Sequence, residues 1–172
     1  YSLVYTDYDE ESEFSNAMNR SYSFEAGLSP SLRLNVDSSQ FMATALAAAE
    51  EQEIVLWFHQ VTEHANFLYF SWIKEGEVQG TFLLDIASTG VDATTAGGTV
   101  FLSWCSRALP DTPSAVKAMK VDGWSVTLVM YQELGEMGET QCVDTKVVTH
   151  NGLPTVFWLD SFSRVSYRAL CY

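Results

Sequence analysis

The sequence predicts a mainly β protein: an antiparallel β-sandwich or jelly-roll-like barrel with one short α-helix. Short apolar and aromatic runs recur at near-regular spacing along the 172 residues, with turn-forming residues between them. Only one segment carries a helical period. Strands that do not alternate with helices pair antiparallel, in a sandwich or barrel. No repeat, linker or composition break appears, so residues 1–172 read as one β-rich domain. The start at Tyr1, without initiator Met or signal peptide, reads as excision from a longer chain.

Taken in order, "YSLVYT" places Tyr1, Leu3 and Tyr5 on one strand face. The polar stretch from Asp7 to Pro30 reads as a long loop. "SLRLNV" alternates again, with Leu32, Leu34 and Val36 on one side. "DSSQFMATALAAAEEQE" is the predicted helix. Asp37, Ser38 or Ser39 can cap it, Phe41, Met42, Ala45, Leu46 and Ala49 share a face, and alanine has the highest helix propensity. "IVLWFHQV" (54–61) and "NFLYFSWI" (66–73) are nearly continuous apolar runs, as expected of strands buried on both faces or with one face in an oligomer interface. "KEGE" turns into "VQGTFLLDIA", and a Ser/Thr/Gly/Ala loop follows. "VFLSWC" (100–105) is a further strand, and residues 106–123 are a Pro-punctuated connection. "WSVTLVMYQE", "CVDTKVVTH", "TVFWLDSF" and "RVSYRALCY" complete the strands, with Asn151-Gly152 at a turn.

Composition narrows the function. The hydrophobic fraction of 47% with 18% charged residues excludes a disordered chain. The net charge of −13, from 22 acids and 9 bases without a basic stripe, disfavours nucleic acid and anionic membranes as partners. No run is long enough for a membrane-spanning helix, so no membrane insertion is expected. Cys105, Cys142 and Cys171 are an odd number in apolar contexts, which reads as buried free thiols and a reducing setting. The sequon Asn19-Arg20-Ser21 points the other way.

Chemistry-bearing patterns are sparse. Asp7, Asp9 and Glu11 alternate like the opening of a calcium loop. Ser12 stands where a sharp turn needs Gly, and Met18 where a bidentate Glu belongs. A helix-loop-helix site is excluded, leaving a weak surface calcium site or, better, an acidic solvated rim; no other cofactor is expected. His59, Glu63 and His64 offer a zinc or iron set only if a turn at 61–63 brings both imidazoles to one side. His150 could act as a base oriented by Asp144 or Asp160, but no nucleophile elbow, P-loop or dinucleotide fingerprint accompanies it. The aromatics are the remaining signal. Trp57, Tyr69, Trp72 and Trp104 are the candidate binding residues, because aromatic faces hold sugars and anchor interfaces.

Short aromatic strands, long Ser/Thr/Gly/Ala loops such as "DIASTGVDATTAGGTV", few Lys and net acidity give the chain a style. In that style it resembles the projecting surface domain of a small icosahedral RNA virus coat protein. The resemblance implies a location on the virion surface, homo-oligomerisation, and a host receptor or glycan as partner. A non-enzymatic binding and assembly domain is the resulting expectation. The alternatives are a β-barrel enzyme or ligand-binding protein using His59, Glu63 and His64, and a secreted carbohydrate-binding module.

Overall fold

The computed structural model describes residues 2–10, 14–35, 40–49, 52–62, 65–86, 88–107, 113–122, 125–134 and 140–170. Among them are fifteen strands and no helix. The first sheet holds β1 (Ser2–Asp9), β2 (Phe14–Ser23), β3 (Gly27–Leu28), β4 (Leu32–Arg33), β5 (Gln40–Ala49), β6 (Gln52–Thr62), β7 (Ala65–Lys74) and β8 (Glu77–Asp85). Its order is β1-β2-β5-β6-β7-β8, with β3 and β4 both attached to β2. The second sheet runs β12 (Ser125–Glu133), β11 (Ala115–Asp122), β10 (Thr99–Ser106), β9 (Ser88–Ala96). The third is β13 (Cys142–His150), β14 (Leu153–Asp160), β15 (Val165–Ala169). Pairing is antiparallel throughout, save one parallel bridge between Ser15 and Gln40. The sheets stack as open layers and none closes into a barrel.

β10 explains the stack. Its alternate residues Val100, Leu102 and Trp104 pack against Ile54, Leu56, Phe70 and Trp72 of the first sheet. The intervening Phe101 and Cys105 pack against Cys142, Val147 and Val156 of the third. A strand with both faces dry needs apolar residues at every position, which is why "VFLSWC" shows no alternation. Each such side chain contributes about 1.5–3 kcal/mol by leaving water. Ser103 is the polar interruption, and its hydroxyl is matched by Thr145 Oγ1 at 3.0 Å. β6 and β7 are likewise covered twice. Val55, Trp57 and Ile73 meet Ala17 of β2 and Leu34, just after β4.

The predicted helix is a strand. Residues 40–49 pair with β6 from Gln40–Gln60 to Ala49–Gln52, so the ladder and the layers override alanine's helix propensity. Ala47 lies in the core toward the second sheet while Leu46 packs on the opposite side, the alternation of a strand. Residues 37–39 of the expected cap lie outside the described residues. Three expected connections also carry strands: β2 in the first acidic stretch, β9 in the Ser/Thr/Gly/Ala stretch, and β11 after the prolines.

β9 also closes an edge. Asp92 Oδ2 accepts from Val147 N at 3.0 Å, and Thr149 Oγ1 donates to Thr95 O at 3.1 Å, so side chains cover the free side of β13. The approach is close enough that a Cβ on Gly90, at φ +48°, would stand 2.5 Å from Asp144 Cα. The second and third sheets are further joined by a disulfide between Cys105 and Cys142, with Cα atoms 5.3 Å apart. This corrects the expectation of free thiols for that pair. Two distant strands of different sheets bring the sulfurs together, a proximity their spacing does not encode. Cys171 lies outside the described residues. No described helix is long and apolar enough to cross a membrane.

Candidate functional site

The aromatics singled out in the sequence turn inward. Trp57 is buried, stacks on half-buried Tyr69 at 4.6 Å, and donates from Nε1 to Ser71 Oγ at 2.9 Å. Trp72 and Trp104 belong to the core between the first and second sheets. Trp104 Nε1 donates to Asp85 Oδ2 at 2.7 Å. Both faces of β6 and β7 are covered, so the alternation of aromatics along them distributes rings between two cores rather than between core and solvent.

Asp7 and Asp9 lie within β1, opposite Asn16 and Phe14, rather than on a turning loop. Asp7 is exposed and Glu11 lies outside the described residues. His59 sits in β6 with its ring edge-on to Phe67, while Glu63 and His64 are outside the described residues. Among the described residues, no three His, Cys, Asp or Glu converge in a way that could hold a metal ion. His150 Nε2 lies 3.2 Å from Asn151 Nδ2 at one end of the β13–β14 hairpin. Asp160 is at the other end, roughly 23 Å away along a fully extended strand, so it does not orient His150. Asn19 of the sequon is buried, and its Nδ2 donates to Glu53 Oε2 at 3.2 Å. In the folded protein that nitrogen is not free for a glycan.

Two features of the third sheet remain. The first is its outer face. The register aligns Asp144, Leu159 and Val165 in one row and Lys146, Phe157 and Tyr167 in the next. Val165 and Tyr167 are 69% and 71% exposed, and Val148 and Leu153 extend the apolar surface. A depression of about 200 Å³ lies among Phe157, Leu159, Val165 and Lys146. The strand beneath it, β15, is exposed along its whole length. Its open side is the only uncovered edge of this sheet among the described residues, because β9 covers β13.

The second feature is a cleft of about 380 Å³ on the opposite side of the β14–β15 hairpin, reaching toward the end of β12. Trp158, Arg164, Asp160, Ser166, Gln132 and Thr140 line it. The turn is built around Asp160. Oδ1 accepts from the backbone N–H groups of Phe162 at 2.9 Å and Arg164 at 3.0 Å, and Oδ2 accepts from Arg164 Nε at 2.7 Å. Burial pushes the Asp160 carboxyl up. The Arg164 and Phe162 N–H donors and the guanidinium charge outweigh that push and hold its pKa below the ordinary carboxylate value. Ser163 takes a positive φ of 61° to close the turn. The Asp160-x-x-x-Arg164 spacing between two strand runs was the available signal for this arrangement.

A third cavity, of about 570 Å³, lies beside Asn19, Ser31, Glu53 and Glu75. Its carboxylate Glu53 is engaged by Ser2 Oγ and Asn19 Nδ2, which tie the N-terminal strands to β6. Compared with known proteins, the chain matches no family model and no curated protein.

Proposed function

We propose that the protein is a non-enzymatic binding and assembly domain that self-associates through the outer face and open edge of β15. The observation that carries this reading is the apolar face formed by exposed Val165 and Tyr167 with half-buried Leu159 and Phe157, beside an uncovered strand edge. Exposed edges and apolar sheet faces invite another strand. A second copy is the occupant that fits best. Two-fold pairing of β15 with its counterpart extends one sheet across both copies and joins the two apolar faces. Charge favours the same surface. At −13 overall, two copies repel through most of their surfaces, whereas on this face Lys146 offsets Asp144, its one acid among the described residues. The sequence's coat-protein style supplies the proposed setting, a domain displayed on a particle surface.

Sedimentation across a concentration series tests the reading. The wild type should show a concentration-dependent dimer. Tyr167→Glu and Val165→Lys, both at exposed positions, should be monomeric with unchanged circular dichroism. Leu3→Glu, on a distant exposed site, should associate as the wild type does. A wild type that stays monomeric throughout, or a loss of association shared by the Leu3 variant, would overturn the proposal.

A further inference from the structure

We infer that the cleft between the end of β12 and the β14–β15 hairpin binds a carboxylated sugar. The cleft lies on the opposite side of the β14–β15 hairpin from the self-association face, with Trp158 bordering both, and the inference does not depend on that function.

The orientation of Arg164 carries the argument. Its Nε is held by Asp160, and its guanidinium carbon lies 5.2 Å from the Phe162 ring centroid. The turn that carries it is fixed by two backbone bonds to the same carboxylate. The far edge of the guanidinium, with both Nη groups, makes no hydrogen bond to a described residue. Held this way, the two Nη groups present coplanar donors that match the two oxygens of a carboxylate. Because Asp160 already balances the charge of Arg164, recognition rests on directed hydrogen bonds more than on net attraction. The net acidity of the protein is therefore compatible with an anionic ligand here.

The rest of the cleft suits a sugar. Trp158 is half-buried, with one side packed against the core between the second and third sheets, and it also lines the cleft. An indole surface receives the C–H face of a sugar ring. The Thr140 and Ser166 hydroxyls and the Gln132 amide supply further polar contacts. The Ser166 hydroxyl has no hydrogen-bond partner among the described residues. The volume of about 380 Å³ falls within the roughly 300–1,000 Å³ usual for small-ligand sites.

The test is a titration of the whole chain followed by amide NMR, with glucuronic acid, N-acetylneuraminic acid, glucose and N-acetylglutamate as probes. One or both acidic sugars should shift the resonances of Thr140, Trp158 and Ser166 saturably, and glucose should shift them far less. Arg164→Gln should weaken that binding about tenfold, and Arg164→Lys should not restore it, since an ammonium cannot present paired coplanar donors. Ser166→Ala leaves the Asp160 turn intact and should weaken binding about threefold, which keeps the test open if the Arg164 variants misfold. No saturable shift with either acidic sugar, an equal response to glucose, tighter binding of N-acetylglutamate, restoration by lysine, or unchanged affinity in Ser166→Ala would each overturn the inference.

Discussion

Lys117 Nζ donates to Asp85 Oδ2 at 2.7 Å, bridging β8 of the first sheet and β11 of the second. The same oxygen accepts from Trp104 Nε1 at 2.7 Å, and Asp85 Oδ1 accepts from Ile86 N at 2.8 Å. The side chains of Lys117 and Asp85 are only 23% and 10% exposed, so this is not an ordinary surface pair. Replacing Asp85 by Ala strands an ammonium and an indole N–H near the core. We expect Asp85→Ala to cost about 2–4 kcal/mol in denaturant unfolding. A loss below about 0.5 kcal/mol would class the pair with solvent-screened contacts.

The disulfide gives a second expectation. Cys105 and Cys142 are separated by 37 residues and join two layers. Closing a loop of that length stabilises by about 3–4 kcal/mol through the unfolded chain. The double variant Cys105→Ala/Cys142→Ala should therefore unfold at a correspondingly lower denaturant concentration. Thiol titration of the unreduced, denatured wild type should find one reactive cysteine, Cys171. Three would show the bond absent.

Acid should loosen the β14–β15 turn. The Asp160 carboxyl titrates lower in the folded protein than in the unfolded chain. Its contribution is present above the ordinary Asp value of about 3.9 and is lost as pH falls through the lower folded value. Thermal melts should thus separate wild type from Asp160→Asn at neutral pH and bring them together in strong acid. A gap that persists unchanged at low pH would assign the effect to something other than ionisation.

Much of the β architecture was legible because the strands at the centre are written as apolar runs with few polar interruptions. "IVLWFHQV", "NFLYFSWI" and "VFLSWC" are covered on both faces, as continuous apolar runs require. Residues 40–49 misled because alanine favours a helix locally, while the choice of a strand is made by β6 beside it. The Ser/Thr/Gly stretch of β9 hid a strand for a related reason. Small residues suit a segment pressed against β13, where Gly90 leaves no room for a side chain. The candidate site was less legible still. The continuous run over β6 signals cover on both faces but does not say whether the second cover is a layer of the same chain or a partner, nor which rings each layer takes. That is why Trp57 and Trp72 read as surface candidates, while Trp158 was not matched with Arg164.

The three sheets are three uninterrupted stretches of chain, ending near Asp85, Glu133 and Ala169. Hairpins within each can form locally as the polypeptide emerges during synthesis, before distant layers meet. The middle sheet, however, remains half wet until the last stretch arrives. A ribosome-bound chain ending before Cys142 would leave Phe101, Val116 and Met130 facing water, with Cys105 still lacking its partner. Chaperone dependence should therefore peak after β12 has been made and before β13–β15 can dock on the second sheet.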